Sequence, residues 1–168
     1  EVLTTLLDKM GALAAVEVLA EKGVQVTEEQ ARSGLELTTW DGRLEVLQET
    51  PLVVVDGAHN PAGVSALLRA LPGNFKYKKP CFIFGVPTDK DHRAMLRNIA
   101  RLADTIILTK PRSERAALPE RLREVQGEVL IEEDPARALE SALKAAGPGD
   151  LVCAAGSLYL VAEITEIV

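Results

Sequence analysis

Aromatic residues are scarce in this chain, 4% of 168 residues, so its core has to be built from Val, Leu, Ile and Ala. Cysteine is nearly absent. Cys81 and Cys153 each sit in an apolar run without Cys-x-x-Cys spacing. They read as small core residues of a reduced, cytoplasmic protein rather than as a disulfide or a metal site. No apolar run reaches the roughly 18 residues that cross a bilayer, and no basic-then-apolar signal segment opens the chain, so no membrane partner is expected. Positive charge is in deficit: 19 Lys and Arg stand against 25 Asp and Glu, a formal net charge of −6. A nucleic-acid partner calls for a basic stripe, and none is visible. An anionic ligand stays compatible, provided that local cations or helix N-termini meet it. Three sequence signatures are missing as well: the phosphate-cradling G-x-x-x-x-G-K-[ST], G-x-G-x-x-G after a strand, and the G-x-S-x-G elbow. The chain opens on Glu1 rather than Met, which predicts a piece trimmed from something longer.

What is present suits one good-sized core with an appendage. Residues 1–40 read as helices. Leu3, Leu6, Met10 and Leu13 form an apolar seam, Gly23 ends that segment, and Thr27 followed by Gln30 is a capping-box signature for a second helix. From residue 41 to 168 the pattern changes to strand, turn, helix, repeated. Leu44–Gln48 alternates like an edge strand. Leu52–Val55, Cys81–Val86, Thr105–Thr109 and Leu151–Ala155 are apolar runs of the kind that a strand buried on both faces shows. Glu128–Glu132 is a weaker strand. Between them, Val64, Leu67, Leu68 and Leu71 share one helical face, with Pro72-Gly73 as the stop, and Met95, Ile99, Leu102 and Ala103 share another. Pro119–Gln126 reads as a short helix. Asp134-Pro135 opens a helix with Ala138, Leu139, Ala142, Leu143 and Ala146 on its face, and Ser157 opens a closing helix to Ile167. Strands and helices in this alternation predict an α/β fold: a mostly parallel open sheet with helices on both faces, preceded by a short helical segment.

Ligands of such sheets bind at the carboxyl ends of the strands. Those ends are polar and rich in Gly or Pro: Asp56-Gly57-Ala58-His59-Asn60, then Gly85 with Thr88-Asp89-Lys90-Asp91, then Thr109-Lys110-Pro111-Arg112, and last Gly156-Ser157. A carboxylate, an imidazole and an amide thus end one buried strand. Asp56 also suits a plain turn cap, and Ser157 a helix cap. His59 sits in a turn beside Asp56, whereas His92 falls on a solvated helix face. Lys90, Lys110 and Arg112 are ordinary surface cations by type, made candidates by their position. Arg43 stands at the junction of the two regions. No Cys/His cluster has metal-ligand spacing, so no metal held by this chain alone is expected.

The runs Gly42-Arg43-Leu44-Glu45, Asp56-Gly57-Ala58-His59-Asn60-Pro61, Phe84-Gly85-Val86 with Asp89-Lys90-Asp91, and Gly156-Ser157-Leu158-Tyr159-Leu160-Val161 occur in this order. They resemble the carboxy-terminal part of the folylpolyglutamate synthase / dihydrofolate synthase family, within the Mur ligase superfamily. The pattern departs from the family's at Asp41, Pro87 and Ala162, none of them a residue carried over. The resemblance implies a Rossmann-like domain over 41–168, with residues 1–40 the tail end of a central ATPase domain and its linker. It implies an ATP-dependent ligase that joins L-glutamate to a folate or to dihydropteroate through an acyl phosphate. The P-loop and the Mg²⁺ ligands would lie in a central domain outside this chain, leaving the chain inactive alone. Arg43 and Asp56 would contact ATP, His59 and Ser157 would hold the incoming glutamate, with Asp56 and His59 as the catalytic residues, and Asn60 would support the turn. The rival readings are a ligase for peptidoglycan precursors or cyanophycin, and a stand-alone α/β module that binds a nucleotide or amino acid.

Overall fold

The computed structural model describes residues 6–37, 40–123 and 129–168. The chain divides into two compact units, Glu1–Asp41 and Gly42–Val168.

In the first unit, α1 (Leu6–Glu21) ends before Gly23, whose φ of +88° is readily adopted by glycine. The capping box forms as expected and opens α2 (Glu28–Leu37): Thr27 N–H donates to Gln30 Oε1 at 2.9 Å, and Gln30 N–H donates to Thr27 Oγ1 at 3.2 Å. Of the expected apolar seam, Leu3 and the side chains of Leu6 and Met10 lie outside the described residues, and Leu13 is exposed.

The second unit is a six-stranded sheet clad with helices. Its elements are β1 (Glu45–Glu49), β2 (Leu52–Asp56), α3 (Pro61–Asn74), β3 (Pro80–Phe84), α4 (His92–Ile99), β4 (Thr105–Leu108), α5 (Pro119–Leu122), β5 (Val129–Ile131), α6 (Pro135–Ala145), β6 (Leu151–Ala155) and α7 (Leu158–Thr165). The strand order is β1-β2-β6-β3-β4-β5, with β1 an antiparallel edge strand and the other pairings parallel. The last strand therefore sits between the second and the third.

Alternation along the strands builds two cores. Val54, Phe82, Phe84, Ile106, Leu108 and Cys153 face one way, toward Val64, Leu67 and Leu71 of α3 and Met95, Leu96 and Ile99 of α4. Their neighbours Val53, Val55, Ile83, Ile107, Val152 and Ala154 face the other way, toward α6 and α7. A one-residue step along a strand changes the face, so unbroken apolar runs are what two helical layers require. Burying each of the Val, Leu, Ile, Met and Phe side chains stabilises the fold by about 1.5–3 kcal/mol. Both cysteines are free thiols, Cys153 fully buried and Cys81 half-buried.

Several boundaries differ from expectation. Pro72-Gly73 does not stop α3, which continues to Asn74. Pro72 has no N–H to donate, but Phe75 N–H closes on Leu71 O at 3.0 Å and Asn74 Nδ2 donates to Ala70 O at 2.8 Å, so the last turn survives. α4 ends at Ile99; Leu102 and Ala103 pack on the core from the turn that follows. α5 ends at Leu122, and the remainder of the expected Pro119–Gln126 helix reaches residues 124–128, outside those described. α7 ends at Thr165, two residues before Ile167.

Candidate functional site

The helices that follow β2 and β6 pack on opposite faces of the sheet, α3 in one core and α7 in the other, although the two strands are neighbours. Their chains diverge at the carboxyl edge, the switch point at which open α/β sheets have their ligand crevice. The two strand ends are also bonded to each other: Gly156 N–H donates to Ala58 O at 2.9 Å. Gly156 has a φ of +117°, and a Cβ on it would lie 2.5 Å from Gly85 O at the end of β3. Only glycine fits there.

Asp56, the last residue of β2, is buried, and both carboxylate oxygens take backbone hydrogens. Oδ1 accepts from Ala58 N–H at 2.8 Å, and Oδ2 accepts from Leu44 N–H at 2.9 Å. The carboxylate thus shapes its own turn and ties it to the segment entering β1. That segment is unusual: Gly42 has a φ of +70° and Leu44 one of +48°, a left-handed conformation that a leucine rarely adopts. Gly42 N–H donates to Glu45 Oε2 at 2.7 Å, and Gly57 N–H donates to Gly42 O at 2.7 Å. The twist carries Arg43 onto the turn, because a Cβ at Gly57 would lie 2.6 Å from Arg43 Nη1.

His59 Nδ1 lies 2.7 Å from Gly57 O. A carbonyl only accepts, so Nδ1 carries the proton and Nε2 is the nitrogen left to meet a ligand. Asn60 caps α3, its Oδ1 accepting from Gly63 N–H at 2.8 Å. Ser157 caps α7, its Oγ accepting from Leu160 N–H at 3.1 Å in a buried setting. Arg43, Asp56, His59, Asn60 and Ser157 therefore gather at the β2/β6 crevice.

The three remaining candidates lie at the same edge, farther across the sheet. Lys90 Nζ pairs with Asp89 Oδ2 at 3.3 Å, and Arg115 Nη2 pairs with Asp89 Oδ1 at 3.0 Å. Partial desolvation pushes the Asp89 carboxyl up. The hydrogen bonds from Lys90, its own backbone and Arg115, with the Arg115 charge, outweigh this and hold it below the usual carboxylate range. Pro87 bridges to Ala116, so the loop carrying Lys90 is stitched to the loop carrying Arg115. Arg112 is held by Glu163 of α7, its backbone N–H at 2.6 Å from Oε1 and its Nε at 3.5 Å from Oε2. Lys110 and Arg112 line an open cavity of about 410 Å³ together with Ser113, Glu133 and Asp134. His92 is half-buried rather than solvated, with Nδ1 at 3.3 Å from Lys90 O. Sequence reasoning missed Arg115 and Glu163. Both are long-range partners of candidate loops, and nothing in their local wording marks them. Among the described residues, no group of three His, Cys, Asp or Glu side chains is placed to hold a metal ion. No described helix is long and apolar enough to cross a membrane.

Comparison with known proteins follows the same geometry. The folylpolyglutamate synthase of Lacticaseibacillus casei is 33% identical over 141 residues, which is 84% of this chain and 32% of that protein. The structure of E. coli FolC in complex with DHPP and ADP is similar with a TM-score of 0.84 at 28% identity, covering 93% of this chain and 38% of that one. A bifunctional folylpolyglutamate synthase/dihydrofolate synthase with Mn, AMPPNP and L-glutamate bound gives 0.82 at 27% identity, covering 90% and 37%. A UDP-N-acetylmuramyl-tripeptide synthetase of Lactobacillus acidophilus matches more weakly, 29% over 140 residues, 76% of this chain and 27% of that protein. The chain spans about a third of the length of the curated relatives it matches. Its residues 42–158 match the glutamate ligase domain of the Mur ligases, and the chain belongs to that family.

Proposed function

We propose that residues 41–168 are the carboxy-terminal ligase domain of an ATP-dependent, cytoplasmic enzyme that adds L-glutamate to a folate, as a folylpolyglutamate synthase, a dihydrofolate synthase or both. Residues 1–40 are then the end of its central ATPase domain and the linker. The observation that carries this reading is the convergence of Arg43, Asp56, His59 and Ser157 on one crevice between β2 and β6. The relatives support it, since one is solved with a nucleotide analogue, a metal ion and L-glutamate together.

In this reading ATP phosphorylates the acceptor carboxylate and leaves as ADP. The amine of glutamate attacks the acyl phosphate, an amide bond forms, and inorganic phosphate departs. Negative charge grows on the transferred phosphoryl group and then on a tetrahedral oxyanion, and preorganised cations stabilise both. Arg43 supplies such a cation at the nucleotide. Asp56 spends its oxygens on backbone hydrogens and acts by fixing the turn beneath Arg43 and His59. His59 offers Nε2 to the glutamate amino group and can accept the proton that the ammonium has to lose before its nitrogen attacks. Ser157 can donate its hydroxyl hydrogen to a glutamate carboxylate while Oγ caps α7. Asn60 keeps the turn in register. ATP fits a crevice with a guanidinium over a glycine turn, and the Mg²⁺ that accompanies it belongs with the P-loop domain rather than with residues of this chain. Lys90, Lys110 and Arg112 serve at the rim, where ion pairs hold Lys90 and Arg112.

The test is steady-state kinetics of the full-length enzyme, with folate and peptidoglycan-precursor acceptors compared. His59→Ala should raise the KM for glutamate about tenfold or more, as loss of one charge-assisted hydrogen bond does, with the KM for ATP near wild type. Arg43→Ala should raise the KM for ATP. Wild-type glutamate kinetics in the first variant removes His59 from the site, and turnover of the peptidoglycan acceptor alone moves the reading to the rival ligases.

A further inference from the structure

Leu158 opens α7 with half its surface exposed, at 53%, yet its tip is in close contact with the turn after β2. The tip has two seats, and both are glycines. A Cβ on Gly57 would collide with Leu158 Cδ2, and a Cβ on Gly42 would come within 3.6 Å of the same atom. The imaginary Cβ on Gly57 also lies 2.6 Å from Arg43 Nη1. Leu158 and the Arg43 guanidinium therefore converge over one residue without a side chain. The strip beneath them is pinned by the hydrogen bond from Gly57 N–H to Gly42 O, and Val161, one turn along α7, presses on Gly42 as well. At Gly57 any larger residue would fill the slot, whereas at Gly42 the φ of +70° and Val161 call for glycine as well.

We propose that Leu158 is a positioning residue for Arg43: it forms the apolar wall of a slot, floored by Gly42 and Gly57, that restricts the guanidinium to the conformation in which it meets the nucleotide. This rests on the reading of Arg43 as an ATP contact. An unrestrained arginine loses rotamer freedom when it engages a phosphate; one already walled in has less to lose, and the nucleotide binds more tightly. The apolar wall also keeps water from one side of the guanidinium, which strengthens its field at the phosphates. The core of α7 does not depend on Leu158, since Leu160, Val161 and Ile164 carry the buried face.

The experiment is kinetics of the full-length enzyme, joined to direct measurement of ADP affinity by calorimetry. Leu158→Ala should raise the KM for ATP and the Kd for ADP about fivefold, the scale of one mobilised side chain, and lower kcat as Arg43 loses its preorganised position, with the KM for glutamate and the melting temperature near wild type. Leu158→Met, which restores an apolar wall, should bring both values back. The double variant Leu158→Ala/Arg43→Ala should bind no worse than Arg43→Ala alone, because Leu158 acts only through Arg43. Gly57→Ala, which fills the slot, should also raise the Kd for ADP. If Arg43→Ala weakens ATP while Leu158→Ala does not, or if the two penalties simply add, the inference is overturned and the reading of Arg43 stands. If Arg43→Ala leaves ATP and ADP binding untouched, the reading beneath it falls.

Discussion

The two units of this chain treat the same kinds of residue in opposite ways. Beyond Gly42, most valine, isoleucine and phenylalanine side chains enter two cores, with Val53, Phe82, Ile83 and Phe84 wholly buried. Before Asp41, Leu13, Val18, Leu19 and Val24 keep between 43% and 51% of their surface exposed. The difference is one of layers. A sheet with helices on both faces buries most of its apolar side chains, whereas two helices of 16 and 10 residues offer each other little surface, and in the reading proposed above they belong to a larger domain. Local signals still operate in the helical unit, as its capping box shows, but tertiary packing does not back them. Local order and global stability are thus separable within one chain.

The contrast is most sharply tested by removing a large side chain from each unit. Phe82→Ala should destabilise Gly42–Val168 by about 3–5 kcal/mol, the usual cost of deleting a buried phenylalanine. Val18→Ala should stay within about 0.5 kcal/mol, as exposed substitutions do. Urea titration followed by far-ultraviolet circular dichroism measures both; equal costs would erase the distinction. Glycine offers a second comparison, with opposite signs. Gly156→Ala meets Gly85 O and a φ of +117° and should destabilise the sheet unit by about 2–3 kcal/mol. Gly11, inside α1, has nothing within 4 Å of a would-be Cβ, so Gly11→Ala should raise helicity, worth about 0.5–1 kcal/mol locally. Circular dichroism of the two variants reads the signs directly.

The third comparison is alkaline and milder at any one pH. Burial pushes the Cys81 thiol up to about 11, and pushes Cys153 and Tyr77 upward too, with the charge of Asp56 adding to the rise at Cys153 and Cys153 adding to that at Tyr77. All three belong to the sheet unit. Above about pH 9 the unfolded thiols release protons that the folded ones retain, so the unfolded state gains and stability falls as pH climbs toward 11. Melting temperatures from pH 8 to 11 should decline steadily in the wild type and less in Cys81→Ala. A flat profile would mean that these groups ionise without opening the fold.

The strands were legible because parallel strands between helical layers must be continuously apolar, and Leu52–Val55 and Leu151–Ala155 are. Caps were legible because Thr27, Asn60, Asp134 and Ser157 bond within three residues of themselves. The overrun of α3 through Pro72 was not, because its last turn is held by Phe75 and Asn74 rather than by the proline's own signal. At the site, sequence marked which residues stand at the strand ends but not what they hold. Asp56 binds Leu44, Lys90 shares Asp89 with Arg115, and Arg112 leans on Glu163. Each partner except Lys90 is distant in sequence, and only the fold brings them together. Leu158 was visible as part of a motif, but its role depends on two glycines that are far apart along the chain.

The place of β6 in the sheet orders events in time. Leu151–Ala155 fits between β2 and β3, both of which are synthesised some seventy or more residues earlier. During translation those strands therefore wait with bare edges until the keystone emerges from the ribosome. A nascent chain halted before residue 151 would hold two unjoined ribbons, open to pairing with other chains. Emergence of β6 is thus the moment at which the two ribbons are joined and their facing edges close.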